Sequence, residues 1–194
     1  DGLAADHRAD IRDAARLAAI LRDARPHIVL HMAAQALVGR GHRDPVGTFA
    51  TNCTGTINLL DALRGLPGVA AALIVTSDKV YRNDGLGRAF AEDDALGGGD
   101  PYSASKAAAE IAVASWRASF AAELPPLATA RAGNVIGGGD FAEARIIPDL
   151  LRAQMAGQPL LVRRPDATRP FQHVADVLRG YLMQAEHLAA GTAP

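Results

Sequence analysis

Tyr102-Ser103-Ala104-Ser105-Lys106 sets a phenol and an ammonium four residues apart. On a helix such positions share a face. A tyrosine hydroxyl ordinarily ionises near ~10, and a nearby cation favours the phenolate, which turns it into a general base usable near neutrality. A second concentration of chemistry lies upstream in ALIVTSDKVY (72–81), where an apolar run ends in Ser77, Asp78 and Lys79. A hydroxyl there can assist the phenol, and a carboxyl beside an amine supplies candidates for an acid and a base. Blander readings stay open. Tyr-x-x-x-Lys occurs on many solvated helix faces, Ser-Asp-Lys fits a surface turn, and adjacent Asp78 and Lys79 can pair and hold each other charged.

The elements that must position these groups are readable from periodicity. Asp13 to Arg25 has the apolar spacing of an amphipathic helix, stopped before Pro26. His27 to His31 and Ala72 to Thr76 are short continuous apolar runs, the pattern of strands buried on both faces. Between them, Val46 to Leu66 is helical, with Phe49, Cys53, Ile57, Leu60 and Leu63 on one side. Residues 82–99 read as a loop. Asp100-Pro101 then supplies an N-cap and a first-turn proline for a helix running to about Ala122. Pro126 to Ala132 predicts a third strand, Gly133 to Asp140 a glycine-rich loop, and Ile147 to Ala156 a helix. Leu160 to Arg163 predicts a short strand and His173 to Leu188 a last helix. Strands alternating with helices predict an α/β fold with a parallel sheet covered on both faces. Ligands then collect at the carboxyl ends of the strands, where His31, Ser77 to Lys79, Gly133 and Asn134 fall.

Composition narrows the class. A chain of 194 residues, 49% hydrophobic, can bury one sizeable core, and a formal net charge of -1 argues against a nucleic-acid binder. One cysteine excludes an internal disulfide framework and suits a reducing cytoplasm; no metal-ligand spacing is present. No apolar run approaches the ~20 residues of a membrane span. There is no initiator Met, no strand before the first helix, and the chain closes on Gly191-Thr192-Ala193-Pro194. The expectation is a piece of a longer protein.

In this setting the chain resembles the extended short-chain dehydrogenase/reductase family, on five segments that fall in order. They are Asp10-Ile11, His31-Met32-Ala33-Ala34-Gln35, Thr51-Asn52, the Ser77 and Tyr102/Lys106 set, and Arg131-Ala132-Gly133-Asn134. The resemblance implies a Rossmann-like doubly wound parallel sheet over residues 1–144, and the start of a smaller substrate-binding portion over 145–194. It implies NAD as cofactor, with Asp10, Ile11, Ala33, Ala34, Gln35, Asn52, Thr76, Tyr102 and Lys106 as binding residues. It implies Ser77, Tyr102 and Lys106 as catalytic, and a homodimer through the two long helices.

Within the family, Asp78-Lys79 separates chemistries. A 4-epimerase has no work for an acid and a base beside the serine. A 4,6-dehydratase must also remove a proton at sugar carbon 5 and the hydroxyl at carbon 6. Most nucleotide-sugar 4,6-dehydratases resemble Thr-Asp-Glu here, whereas Ser-Asp-Lys resembles the subgroup acting on CDP-glucose. RDPVGTFATN (43–52), DPYSASK (100–106), RAGNVIGGGD (131–140) and RPFQHV (169–174) resemble that subgroup too. Ala36 departs from it. The resemblance implies Lys79 as the base at carbon 5, with a depressed pKa, and Asp78 as the acid at carbon 6, with a raised one. It implies Asn134, Arg145 and Arg169 as contacts of the nucleotide sugar. Other nucleotide-sugar 4,6-dehydratases, a 4-epimerase and a non-catalytic dinucleotide-binding module remain as alternatives. The Gly-x-Gly-x-x-Gly fingerprint is absent, and Gly137 to Gly139 lies after too late a strand to replace it. Cys53 reads as core filler, His173 as a cap and Trp116 as helix packing.

Overall fold

The computed structural model describes residues 2–85 and 87–192; Asp1, Ala193 and Pro194 of the termini considered above lie outside them. Three strands, β1 (Ile28–His31), β2 (Ala71–Val75) and β3 (Leu127–Ala130), form a sheet in that order, and both pairings are parallel. Parallel neighbours require crossovers, and helices supply them.

Helix α1 (Ala14–Ala24) is capped by Asp13, whose carboxylate accepts the Arg16 N–H at 2.9 Å. It ends at Arg25, in the left-handed region at φ 44°, ahead of Pro26. After β1 come α2 (Val38–Arg43) and α3 (Pro45–Phe49), the latter capped by Asp44. The chain then passes through a π-helical turn, Ala50–Thr54, into α4 (Gly55–Leu63). The helical stretch predicted from Val46 to Leu66 is therefore one rod with a wide turn in it. Helix α5 (Pro101–Ser119) starts at the cap Asp100, which accepts from the Ser103 N–H at 3.0 Å and the Ser103 hydroxyl at 2.7 Å.

Leu59, Leu60, Leu63, Ile74, Val113 and Leu127 form the core on one side of the sheet, beneath α1, α4 and α5. Trp116 packs at its edge, and Cys53 is half-buried, as expected of filler. On the other side Ala71, Leu73 and Ala130 meet Val177, Tyr181 and Leu188 of α7 (Val174–Ala189). Each large side chain so buried contributes about 1.5–3 kcal/mol, so α7 is held to the sheet although it follows the segment expected to begin the substrate portion. His173 caps it, Nδ1 accepting the Ala175 N–H at 3.2 Å.

Three expectations need correction. Among the described residues β1 stands at the edge of the three-stranded sheet with Ile28 exposed, so the expected burial on both faces is not seen. The predicted loop from Gly133 to Asp140 contains a strand, β4 (Asn134–Ile136), paired in parallel with β5 (Phe171–His173) in a second, two-stranded sheet. Leu160 to Arg163 is not a strand; it is an irregular, largely exposed segment after α6 (Ile146–Met155), and among the described residues no strand pairs with it.

Candidate active site

The chain leaves β2 through Thr76 and turns at Ser77, which caps a 3-10 turn over Asp78–Val80. Ser77 Oγ accepts the Lys79 N–H at 3.2 Å and donates to Asp78 Oδ1 at 3.2 Å. The Asp78 N–H donates to the Ala132 carbonyl at 3.0 Å, tying this turn to the end of β3. Among the described residues, neither Asp78 nor Lys79 forms an ion pair, with each other or elsewhere. The neutralising pairing left open by the sequence is not made.

Tyr102 sits in the first turn of α5, where Ser77 and Asp78 of the turn after β2 act on its hydroxyl. Two glycines fix that turn. A Cβ at Gly41 would lie 3.2 Å from the Tyr102 nitrogen, and one at Gly98 would lie inside the backbone of Ser103 and Ala104. One helical turn on, Lys106 is buried and donates to the Val75 carbonyl at 2.8 Å. Ser77, Tyr102 and Lys106 thus converge at the carboxyl end of β2.

The electrostatics differ from the simple expectation. Burial raises the Tyr102 pKa; the Ser77 hydrogen bond pulls it down, Asp78 pushes it up, Arg145 lowers it and Asp100 raises it. Lys106 is not among the charges acting on the phenol, because it is turned onto the Val75 carbonyl. Burial instead depresses Lys106 itself to about 8, against an upward pull from Glu110.

His31, at the end of β1, is buried, and burial together with the Lys106 charge lowers it to about 4. Thr56 Oγ1 spends its proton on the Asn52 carbonyl at 2.7 Å, so His31 Nε2 carries the proton donated to Thr56 at 3.1 Å. Because the unfolded histidine protonates near 6.5 and the folded one only near 4, stability is complete above 6.5 and is lost as pH falls through this window. The loss is expected to be about 3 kcal/mol. His31→Gln should flatten it, read by urea unfolding across the window; an unchanged acid slope would refute the assignment. Asp10 and Asp94, held down to about 2 first by their hydrogen bonds to Arg12 and Arg88, titrate below it.

A cleft of about 530 Å³ opens at the end of β1, lined by Asp10, Ile11, Ala33, Ala34, Gln35 and Thr51 among others. Ile11 reaches it across Gly55, where a Cβ would come within 2.6 Å of the isoleucine. Asp10 is exposed and gripped by Arg12, with Arg12 Nε 3.0 Å from each carboxylate oxygen. Gln35 and Asn52 are turned inward. Asn52 Oδ1 accepts the Gln35 N–H at 2.8 Å, and its Nδ2 donates to the Gln35 carbonyl at 3.0 Å and Ser105 Oγ at 2.9 Å. The Gln35 amide donates to Thr48 Oγ1 at 2.9 Å. Asn52, set in the π turn, therefore holds the cleft's wall to α5 rather than facing into the cleft. Thr76, expected to face a cofactor, instead donates its hydroxyl to Glu110.

Of the expected substrate contacts, Arg145 stands at the N-terminal boundary of α6, pairs with Asp140 at 3.2 Å, and its charge lowers the Tyr102 pKa. Asn134 opens β4 beside Phe171, and Arg169 is exposed two residues before that partner. Glu110, Thr129 and Tyr81 were not singled out from the sequence. Glu110 lies four residues after Lys106 on the same face, a signal that was available.

A parallel sheet between helices, with a Tyr–Lys–Ser set at its strand ends beside a small-residue cleft, defines a Rossmann-type dinucleotide-dependent protein. The chain belongs to the NAD dependent epimerase/dehydratase family, whose model matches residues 3–194. A CDP-glucose 4,6-dehydratase of Salmonella typhimurium is 41% identical over 191 residues, 94% of this chain and 52% of its own. A dTDP-glucose 4,6-dehydratase structure from Streptomyces venezuelae with NAD bound superposes with a TM-score of 0.79 at 27% identity, covering 93% of this chain and 53% of its own. A UDP-glucose 4-epimerase of Thermus thermophilus, in complex with NAD, gives 0.80 at 28%, with 92% and 59% covered. The chain spans about half the length of the curated relatives it matches. The residues present fit the adenosine end of NAD: a carboxylate at the rim, an apolar Ile11, and a floor of two alanines.

Proposed function

We propose that the protein is an NAD-dependent nucleotide-sugar 4,6-dehydratase, a hydro-lyase that converts CDP-glucose to a CDP-4-keto-6-deoxyglucose. The observation that carries this is the Asp78–Lys79 step, free of ion pairs among the described residues, placed on the turn whose Ser77 and Asp78 both act on Tyr102. NAD, held by residues of the cleft at the end of β1, would supply a hydride acceptor at carbon 4 of the sugar and a hydride donor at carbon 6. Tyr102 takes the proton from the carbon 4 hydroxyl, oriented by Ser77. Lys106, seated on the Val75 carbonyl at 2.8 Å, ties the helix that carries the phenol to the end of β2. Once carbon 4 is a ketone, Lys79 removes the acidified proton at carbon 5, and Asp78 delivers a proton to the hydroxyl leaving carbon 6.

The composition supports Lys79 as a base. The chain has 18 arginines and two lysines, and the two are Lys79 and Lys106. Arginine stays charged, whereas lysine can give up its proton at accessible pH; this chain uses lysine only where that property counts. Ala33, Ala34, Asp10 and Ile11 receive the adenosine end of the cofactor, while Gln35, Asn52 and Thr76 shape the site from behind. Asn134, Arg145 and Arg169 contact the diphosphate sugar, the two guanidiniums suiting an anion. Residues 1–144 form the cofactor half and 145–194 begin the substrate portion, with α7 returning to the sheet. The protein works in the cytoplasm as a homodimer. Among the described residues no helix is long and apolar enough to cross a membrane.

The test is incubation of the full-length protein with CDP-, dTDP- and GDP-hexoses, followed by alkaline ultraviolet detection of a 4-keto-6-deoxy sugar. CDP-glucose is expected to give the highest yield. Absence of keto product from all of them overturns the proposal.

A further inference from the structure

Glu110 is an anionic side chain buried in the middle of α5, and every direction around it is occupied. Its carboxylate accepts from the Thr76 hydroxyl at the end of β2, from the Thr129 hydroxyl of β3 at 2.9 Å, and from Arg131 through Nε at 3.0 Å and Nη2 at 2.9 Å. Arg131 extends the chain of contacts outward. Its Nη1 donates to the Tyr81 hydroxyl at 3.0 Å and the Glu92 carbonyl at 2.8 Å, and its guanidinium lies over the Tyr81 ring. Tyr81 in turn stacks on Phe90 at 4.8 Å. One carboxylate thereby joins the helix that carries Tyr102 and Lys106 to the strand ends that carry Ser77, and, through Arg131, to the turn that carries Lys79.

A buried carboxylate is costly unless its lone pairs are filled and its charge is met. Arg131 and the two threonines meet both conditions and hold the Glu110 pKa below its usual value, although burial pushes it up. Core packing alone would be served as well by an apolar residue. The placement one turn from Lys106 gives the charge a second consequence: it is the one group that pulls the Lys106 pKa upward against burial. His31, from β1, is the other titratable group coupled to Lys106. Tyr102 on α5 and Asp78 and Lys79 in the turn after β2 complete the surroundings.

We propose that Glu110 is a positioning residue of the active site, binding Thr76, Thr129 and Arg131 so that α5 presents Tyr102 and Lys106 to Ser77. The proposal rests on the reading that these three residues do the chemistry. It does not depend on which nucleotide sugar is the substrate.

The chain's two lysines make the test direct. In the full-length protein carrying labelled lysine, without cofactor, side-chain NMR gives two titrating signals, assigned with Lys79→Ala. Glu110→Gln keeps the shape and removes the charge; the Lys106 midpoint is expected to move to lower pH while that of Lys79 stays in place. In turnover assays Glu110→Gln should lose about ten- to a hundredfold in kcat with little change in KM. Glu110→Asp keeps the charge but is too short to span the three partners. Its Lys106 midpoint should stay near that of wild type while kcat falls. An unmoved Lys106 midpoint in folded Glu110→Gln overturns the proposal, and so does wild-type kcat in Glu110→Asp. If Glu110→Gln does not fold, the Asp variant alone decides. Should wild type make no keto sugar, the dehydratase reading fails, and the lysine titration still tests Glu110.

Discussion

Tyr102→Phe is expected to lower turnover about a thousandfold, with the melting temperature nearly unchanged. General acid–base groups contribute about 10²–10⁴ to rate, and Tyr102 is the phenol on which Ser77 acts. Asp78 accepts from Ser77, yet it is placed for the leaving hydroxyl in the proposed division of roles. The fold should tolerate the change. The close approach of Gly41 to the Tyr102 backbone and the Asp100 cap of α5 do not use the hydroxyl. The raised pKa of Tyr102 sharpens the expectation, because burial makes the phenolate unfavourable until a cation faces it. Single-turnover measurement of the first oxidation separates the outcomes: Phe at this position should stop it. Oxidation at the wild-type rate would remove Tyr102 from the mechanism.

The parts of the site that could be read in the sequence were those encoded over a few residues. The four-residue spacing of Tyr102 and Lys106, the Asp100-Pro101 helix start and the polar ends of apolar strands are local patterns, and the structure brings Ser77, Tyr102 and Lys106 together as expected. What the pattern missed is non-local. The π turn at Ala50–Thr54 leaves no mark in the apolar periodicity, yet it aims Asn52 at Gln35, 17 residues away, and at Ser105, 53 residues away. The short β4 was hidden because Gly137 to Gly139 dominates its segment; its partner β5 lies beyond α6. Leu160 to Arg163 misled for the opposite reason. Its apolar residues suit a strand, but a strand needs a neighbour, and none pairs with it among the described residues. The inward turn of Gln35, Asn52 and Thr76 shows the limit of motif reading: a segment can border a cleft while its polar side chains serve the scaffold.

Lys79→Ala is expected to keep the first oxidation and lose the elimination by about a thousandfold, leaving substrate oxidised at carbon 4 and the nicotinamide reduced. Two readouts follow: persistent near-ultraviolet absorbance of reduced nicotinamide after mixing with CDP-glucose, and failure to incorporate solvent deuterium at carbon 5. Lys79→Arg is the decisive companion. Arginine restores the positive charge and much of the reach, but it does not release its proton at any accessible pH. If Lys79 serves only to attract the diphosphate, Arg should rescue; if it serves as the base, Arg should behave as Ala does. The geometry favours the second result. Lys79 carries no ion pair among the described residues, and its backbone N–H is fixed on Ser77 Oγ at 3.2 Å. Its stem therefore starts from the same turn as Ser77, beside the group proposed to take the proton at carbon 4. Wild-type turnover in Lys79→Arg would move the base to another residue and leave Asp78 as the first candidate.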